Sequence, residues 1–294
     1  MSSNVPAAAL DCRGLRLDLT GRTQLVGILN VTPVSFSDGG QWLEPEAAAV
    51  QGVRLAAEGA AIIDLGGQST RPGHAEISAS EEIARIRPVL ERLAGAGLPA
   101  PISIDTYKPA VARAALAAGA RLVNDIHGFQ GDPEMAGLVA EYGCPAVLMH
   151  HERDFSATAG DVIAKIARYF ERSLALAATA GVPETRLILD PGIGFWKSQA
   201  ENLEIMARLA ELKTFGRPLL LGVSRKSVVA RIVGESAEAR LAGTLATTVM
   251  AVSQGVDFVR VHDVAANAQA IKMAVAIRDA RHHSPTHAGP HPTS

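Results

Sequence analysis

The sequence predicts a (β/α)8 barrel, an α/β fold in which eight parallel strands alternate with helices. Two observations predict it: short apolar runs recur along the chain, and Ala-, Leu- and Glu-rich segments with helical spacing separate them. Such alternation is typical of a parallel sheet. Eight repeats favour a closed barrel over an open doubly wound sheet, which usually has about five or six strands. A length of 294 residues suits one barrel with modest additions.

The predicted strands follow one another with a polar residue at or just beyond the end of each. A continuous apolar run such as 219–221 is typical of a strand buried on both faces. The strands are expected at 24–30, 60–66, 101–106, 121–126, 145–150, 186–191, 217–224 and 257–263. Residues 81–93 exemplify the intervening helices, with apolar positions three or four apart at Ile83, Ile86, Leu90 and Leu93.

The additions lie at the ends of the chain. Residues 10–23 alternate apolar and polar side chains around a glycine, which predicts a short hairpin that plugs the bottom of the barrel. Residues 282–294 lack apolar periodicity and are rich in His, Pro, Ser and Thr, so we expect a disordered tail. The sequence thus predicts a single barrel domain over 1–281 followed by a disordered tail.

Composition excludes several classes of protein. Hydrophobic residues at 48% and charged residues at 20% are typical of a globular domain, and a formal charge of −2 argues against nucleic-acid binding. No apolar run approaches the ~18 residues that span a bilayer, and no signal peptide is recognisable, so neither a membrane nor secretion is expected. Cys12 and Cys144 form no motif and suit reduced core thiols in a cytoplasmic protein.

Polar residues far apart in the sequence are expected to meet at the carboxyl ends of the barrel strands. One set comprises Asp105, Asn124 and Asp190. A buried polar group without a partner costs roughly 1–3 kcal/mol, so this set indicates either a ligand or a satisfied network. Carboxylates and an amide suit a flat heterocycle with amino, ring N–H and carbonyl edges. Alternatively, Asp105 caps a helix near Pro109 and Asp190 caps the turn at Pro191.

A second set is cationic or suited to phosphate. Guanidinium groups match phosphate oxygens, and Ser227 opens a predicted helix whose N–H groups favour anions. Asn30 offers an oxygen to Mg²⁺, which commonly bridges a diphosphate. For a lone cation the alternative is a solvated surface charge, which is weak for Lys226 because it follows a buried strand. The members are Asn30, Ser69, Thr70, Arg71, Lys226, Ser227, Arg260 and His262.

Two connections exceed the usual strand-to-helix length of about two to six residues. The segments 30–42 and 66–78 are rich in Gly, Ser and Thr. On the active face of a barrel, such loops are typical of mobile lids. The alternative is a plain surface excursion.

The motifs together resemble those of dihydropteroate synthases. The matching segments are GILNVTPVSFSDGG (27–40), DLGGQSTRPG (64–73), SIDTYKP (103–109), VNDIHG (123–128), LMH (148–150), DPGIGFWK (190–197), SRKS (224–227) and RVHDV (260–264). The resemblance implies a pterin-binding barrel that joins 6-hydroxymethyl-7,8-dihydropterin diphosphate to 4-aminobenzoate in folate biosynthesis. It also implies Mg²⁺ as cofactor, a homodimer and sulfonamides as inhibitors.

The resemblance implies a role for each matching residue. The pterin would be held by Asp105, Asn124, Asp190 and Lys226. The diphosphate would be bound by Asn30, Arg71, Arg260 and His262, with Asn30 as the Mg²⁺ ligand. The aminobenzoate site would be formed by Ser69, Thr70, Arg71, Pro72, Phe195 and Ser227. The residues expected to act in catalysis are Asp105, Asp190, Lys226, Arg260 and His262.

The chain departs from the family pattern near the active face. The departures are Val34, Gln68, Tyr107, the segment LMHHERD (148–154) and Trp196. Three alternatives remain: a methyltetrahydrofolate-dependent methyltransferase, a Schiff-base aldolase using Lys226, and a non-catalytic pterin-binding paralogue. A methyltransferase would leave SRKS, RVHD and STRPG unexplained, and an aldolase would need Lys226 neutral despite its neighbour Arg225.

Overall fold

The computed structural model describes residues 9–31, 45–69, 75–157 and 159–280. Eight parallel strands in it form a nearly closed barrel, which confirms the predicted fold. A two-stranded antiparallel hairpin precedes them. The hairpin strands are β1 (Ala9–Cys12) and β2 (Leu15–Asp18); the barrel strands are β3 (Gln24–Asn30), β4 (Ala60–Gly66), β5 (Ile102–Asp105), β6 (Leu122–Asp125), β7 (Ala146–Met149), β8 (Leu187–Asp190), β9 (Leu220–Leu221) and β10 (Phe258–Val261).

Neighbouring barrel strands are consecutive in the chain, and the first and last of them, β3 and β10, pair through four residues. Strand β9 is much shorter than the predicted 217–224. Pro218 has no N–H to donate, and the N–H of Leu219 donates to Asp257 Oδ2 at 2.8 Å instead of to a neighbouring strand. Between β8 and β9 the contact reduces to a bridge from Leu189 to Leu219, which we call the seam.

Helices connect the strands on the outside of the barrel. Helix α2 buries Ile86, Leu90 and Leu93 as predicted, and the side chain of Ser78 caps its start by accepting a hydrogen bond from the N–H of Glu81. Among the described residues, no helix combines the length and apolarity needed to cross a membrane. The helices are α1 (Pro45–Ala57), α2 (Ala79–Gly95), α3 (Pro109–Ala117), α4 (Glu134–Tyr142), α5 (Val162–Thr179), α6 (Gln199–Ala207), α7 (Ser227–Val233), α8 (Ala237–Ser253) and α9 (Val264–Ala280).

Two apolar cores hold the barrel together. The larger core lies between the strands and the helices, because alternate strand residues such as Ile63 and Ile104 point outward and are fully buried there. The smaller core contains Leu10 and Cys12 of the hairpin together with strand residues such as Val26 and Phe258. The hairpin therefore plugs one end of the barrel, as the sequence predicts. The opposite end, where the strands terminate, is left for the polar residues.

Both cysteines are free and buried, as expected for core thiols. Residues 281–294, and with them the predicted tail, lie outside the described residues, as do 32–42 of the first long loop and 70–74 of the second. The predicted domain boundary at 281 stays a prediction for the same reason.

Candidate active site

A network of buried charges fills the barrel mouth at the ends of β4, β5 and β10. The guanidinium group of Arg260 donates to Asp64 Oδ2 at 2.6 Å and to Asp105 Oδ2 at 2.8 Å. Asn124 also donates to Asp64 Oδ2, at 3.0 Å. The second oxygens, Asp64 Oδ1 and Asp105 Oδ1, are buried and accept no hydrogen bond from the described residues. Two buried acceptors are therefore available to the N–H groups of a ligand.

Asp190 and Lys226 adjoin this network on either side of the seam. A Cβ placed on Gly222 would lie 3.8 Å from Asp190 Oδ2, 3.9 Å from Lys226 Nζ and 3.8 Å from the Cβ of Arg260. Lys226 Nζ donates to the carbonyl of Ile193 at 2.7 Å. The absence of a side chain at position 222 thus lets the three groups converge.

Burial governs the protonation of these carboxyls. Burial raises the pKa of Asp105 to about 7, although Arg260 opposes that shift. Burial also raises the pKa of Asp190, with Lys226 and the N–H of Gly192 acting in the opposite sense. Near neutral pH Asp105 therefore retains part of a proton that an ordinary carboxyl would have lost.

The structure decides whether Asp105 and Asp190 cap local backbone, the alternative to ligand binding. Helix α3 begins at Pro109 with Lys108 as its N-cap and no side-chain cap, so Asp105 is not a helix cap. Asp190 Oδ1 does accept the N–H of Gly192 at 2.7 Å, so Asp190 caps its turn while its other oxygen faces Gly222.

An apolar cluster adjoins the polar network at Lys226. Ile126, Met149 and Phe195 form a small buried cluster separate from both cores, and Tyr107 packs against it. The ammonium group of Lys226 lies 4.8 Å from the centre of the Phe195 ring. The junction of the polar groups with this apolar cluster, which we call the slot, offers the two kinds of surface that suit a flat heterocycle.

The residues predicted for phosphate divide into two locations. His262 Nδ1 lies 3.0 Å from the hydroxyl of Ser224, and Ser227 begins α7. Asn30 ends β3, and a Cβ on Gly66 would be 3.4 Å from its Oδ1 and 3.8 Å from Asp105 Oδ2. Asn30 therefore lies beside the carboxylate network.

The structure brings six predicted residues together around the slot: Asn30, Asp105, Asn124, Asp190, Lys226 and Arg260. Arg260, grouped by sequence with the phosphate ligands, is engaged by two carboxylates. Ser69 is described and half-buried, whereas Thr70, Arg71 and Pro72 lie outside the described residues. Sequence reasoning assigned no role to Asp64, Ile126 or Met149. Asp64 is a charged residue inside the apolar run 60–66, and a charge in a buried strand indicates a functional role.

The departures from the family pattern contact one another. Gln68 Nε2 donates to the hydroxyl of Tyr107 at 3.0 Å, and Trp196 Nε1 donates to His151 Nε2 at 2.9 Å. Tyr107, His127, His151 and Trp196 form a row of rings with successive centroids 4.7, 4.7 and 6.0 Å apart. The departures therefore form two hydrogen-bonded pairs, Gln68 with Tyr107 and His151 with Trp196. Val34 lies outside the described residues.

Comparison with known proteins gives a consistent result. Residues 26–262 match the family of pterin binding enzymes. A dihydropteroate synthase of Clostridium beijerinckii is 44% identical over 253 residues, which cover 86% of this chain and 93% of that protein. The solved dihydropteroate synthase of Xanthomonas albilineans with 4-aminobenzoic acid has 42% identity and a TM-score of 0.86, covering 95% of this chain and 99% of its own. The Yersinia pestis dihydropteroate synthase in a sulfonamide drug complex has 40% identity and a TM-score of 0.85, covering 92% and 99%.

Proposed function

This chain belongs to the dihydropteroate synthases of the pterin-binding enzyme family, and on that premise we propose how its residues perform the reaction. The reaction joins 6-hydroxymethyl-7,8-dihydropterin diphosphate to 4-aminobenzoate and gives 7,8-dihydropteroate and pyrophosphate. The observation that carries the assignment of residues is the buried, unpaired oxygen of Asp105, together with the apolar cluster that Lys226 links to the polar network. A flat ring with N–H donors along its edge satisfies both features.

The pterin lies in the slot with its amino and ring N–H groups towards Asp105 and Asp190. Asn124, already a donor to Asp64, has its carbonyl oxygen for a further N–H. Ile126 and Met149 cover the ring, while Phe195 of the same cluster is left for the arylamine. Lys226, between Asp190 and Phe195, holds a carbonyl or ring nitrogen of the pterin.

The diphosphate extends towards Asn30 and His262, with Arg71 and Arg260 as further cationic groups. Among the described residues, no three His, Cys, Asp or Glu side chains form a metal-holding cluster. A single amide oxygen from Asn30 fits Mg²⁺, because this ion keeps several waters and takes its remaining ligands from substrate phosphates. When bound there, Mg²⁺ neutralises charge on the diphosphate oxygens.

The arylamine binds between Phe195 and the start of α7, where Ser227 and its neighbouring N–H groups can receive the carboxylate. Ser69, Thr70, Arg71 and Pro72 complete this site. Because a solved relative holds a sulfonamide drug, we expect sulfonamides to compete for the same position in this chain.

The steps follow from these positions. Pyrophosphate departs first, and Arg260 and His262 stabilise the charge that develops on it. The bond broken is that between the pterin methylene carbon and oxygen, and the positive charge left on the pterin is favoured by Asp105 and Asp190. The neutral amine then attacks the methylene carbon and loses a proton to solvent, so no strong base is required. Exclusion of water protects the cation until the amine arrives.

The assignment is tested with Asp105→Asn and Asp190→Asn. Loss of a charge-assisted hydrogen bond costs about 1.5–3 kcal/mol, so pterin affinity should fall ~10- to 150-fold in calorimetric titration. Asp161→Asn is the matched control, because that carboxylate caps α5 and pairs with Arg208 outside the barrel. Wild-type affinity in the slot variants would refute the assignment.

Activity is tested separately by complementation of a folate-auxotrophic strain that lacks its own synthase. Growth would establish synthase activity, whereas pterin binding without growth would favour the non-catalytic alternative. His262→Ala should weaken pyrophosphate binding and spare a pterin without the diphosphate. It is a cleaner probe than Arg260→Ala, which would also strand two buried carboxylates.

We also propose a cytoplasmic homodimer. Of the ten large hydrophobic side chains exposed among the described residues, five lie on α7, α8 and α9: Ile232, Val233, Val249, Met273 and Ile277. Exposed apolar patches commonly mark subunit contacts. Sedimentation of wild type and Met273→Glu tests this, with a dimer expected only for the former. The reduced, buried cysteines support a reducing compartment.

A further inference from the structure

The connection from β8 to α6, residues 191–198, is held by side chains at nearly every peptide group. We call it the Phe195 loop. Asp190 Oδ1 accepts the N–H of Gly192, Lys226 donates to the carbonyl of Ile193, and Asn202 Oδ1 accepts the N–H of Gly194, each at 2.7 Å. Loops that only connect elements are seldom bonded so completely. The loop therefore has a fixed shape, and its most buried ring is Phe195.

Lys197 makes the bonds that close this loop on itself. Its ammonium group donates to the carbonyl of Gly192 at 2.8 Å and to that of Phe195 at 3.1 Å. The same group lies 5.2 Å from the centre of the Phe155 ring. One cation thus joins the first turn of the loop to the residue that carries the aromatic ring.

Backbone geometry shows why the loop needs the two hydrogen bonds from Lys197 to the carbonyls of Gly192 and Phe195, which we call the clamp. Gly192 has a φ of +66°, and a Cβ on it would lie 2.1 Å from the carbonyl oxygen of His150. Trp196 also has a positive φ, +54°, which is unfavourable for a bulky residue. Glycine thus accommodates the turn at 192, whereas the positive φ of Trp196 carries a conformational cost, which the bonds from Lys197 to the adjacent backbone offset.

We infer that Lys197 is a positioning residue for the arylamine step: by binding the carbonyls of Gly192 and Phe195, it fixes the Phe195 ring against which 4-aminobenzoate packs. This inference rests on the proposed function. Lys197 itself lies two residues beyond Phe195 and acts through the backbone. Neither the family motif nor the predicted site assigns it a role.

Charge around Lys197 makes the clamp sensitive to pH. Burial lowers the pKa of Lys197 to about 7; Lys226 adds to the shift, while Asp190, Glu201 and Glu152 oppose it. His150 and His151 also face it, since Lys197 lowers the pKa of each. As the pH rises through this range the group loses its charge, and its two hydrogen bonds lose their charge-assisted strength.

The first test compares Lys197→Met with Lys197→Arg in steady-state assays. Because small displacements of a positioning group cost up to ~100-fold, we expect the KM for 4-aminobenzoate to rise roughly ten- to a hundredfold in Lys197→Met. The KM for the pterin diphosphate should stay within about twofold, and Lys197→Arg should recover most of the loss. Equal changes in both KM values, or none, would overturn the inference.

Lys165→Met is the matched control for loss of a buried lysine. Lys165 donates to the carbonyl of Phe155 at 2.7 Å and pairs at 3.4 Å with Glu201 of α6, whereas Lys197 bonds the carbonyls of the Phe195 loop itself. It should lower the unfolding temperature without a selective effect on 4-aminobenzoate. If it reproduced the selective rise in KM, Lys197 would have only a general structural role.

Two further measurements separate this inference from the proposed function. At saturating pterin diphosphate, kcat/KM for 4-aminobenzoate should decline above pH ~7 in wild type, whereas Lys197→Arg, which stays charged, should lack that decline. Hydrogen–deuterium exchange of peptides covering 191–198 should quicken in Lys197→Met and not in Lys197→Arg. The exchange measurement requires no catalysis. If residues 191–198 exchanged equally fast in Lys197→Met and wild type, Lys197 would not fix the loop, even if the protein were inactive. Failure of wild type to form dihydropteroate would instead sink the proposed function.

Discussion

At the scale of single residues, the site is organised by one guanidinium group that serves two carboxylates. Arg260 binds Asp64 and Asp105 through different nitrogens, so neither acid is left as an isolated buried charge. Each acid nevertheless keeps one unpaired buried oxygen. The ligand-free site is thus stable enough to fold and still able to accept the edge of a heterocycle.

Pterin binding should release protons, and Asp105 should be a main source of them. The raised pKa of about 7 keeps Asp105 largely protonated at pH 6, while acceptance of two N–H donors requires the carboxylate. We therefore expect calorimetric heats at pH 6–6.5 to depend on the buffer's ionisation enthalpy. The dependence should fade above pH ~8, where the proton is already lost.

Asp105→Asn should reduce this proton release, since an amide does not titrate. Asp161→Asn, remote from the site, should leave it unchanged. Heats at pH 6 that are independent of the buffer in wild type would mean that the pterin binds the protonated acid.

At the scale of elements, the start of α3 is fastened to both ends of the β4–α2 connection. Lys108 donates to Gln68 Oε1 at 2.7 Å, to the carbonyl of Ile77 at 2.6 Å and to Glu82 at 2.9 Å. Tyr107 bonds Gln68 and Glu76. These bonds hold the described residues on both sides of the segment that contains Thr70, Arg71 and Pro72.

Removal of the Lys108 charge should be the most damaging change in this group. Lys108→Met leaves Glu82, whose side chain is 2% exposed, without its partner, and breaking a buried pair costs about 3–5 kcal/mol. Tyr107→Phe removes hydrogen bonds at a half-buried site and should cost about 0.5–1.5 kcal/mol. Urea unfolding measures both values. Arg113→Met, which breaks an exposed pair with Glu141, should leave stability unchanged. A similar result for Lys108→Met would show that water screens its pair with Glu82.

The sequence was sufficient for elements whose pattern is local. Strands β3 and β4 have the predicted bounds, and the helix at 81–93 lies within α2. The sequence was insufficient to predict the short length of β9. The hydrogen bond from Leu219 to Asp257 joins residues 38 apart in the chain, and the apolar run gives no sign of it. The same limit explains why Arg260 was grouped with phosphate ligands. Its partners, Asp64 and Asp105, come from strands 196 and 155 residues away.

At the scale of the whole molecule, we expect the hairpin and the barrel to unfold as one cooperative unit. Arg13 donates to the carbonyls of Leu116 at 3.2 Å and Ala120 at 2.8 Å, while Arg121 donates back to the carbonyl of Arg13. Together with the shared core around Cys12, these bonds tie the hairpin to the barrel bottom.

Thiol labelling tests whether the hairpin and the barrel unfold together. Cys12 and Cys144 are both 0% exposed, and burial raises their pKa values to about 12 and 11, so little thiolate forms at pH 8. In Cys144→Ser and Cys12→Ser, the remaining thiol should react at one common slow rate set by global unfolding. Faster reaction of Cys12 would mean that the hairpin detaches while the barrel stays folded.

The seam has a consequence for the thermodynamics of closure. Asp190 ends β8 and Lys226 follows β9, so the slot straddles the joint where the backbone ladder is weakest. A pterin held by both residues would act as a cross-brace between strands that the main chain scarcely connects. Ligand binding and barrel closure are then linked: a bound ligand favours the closed ring by the same coupling free energy by which closure favours the ligand.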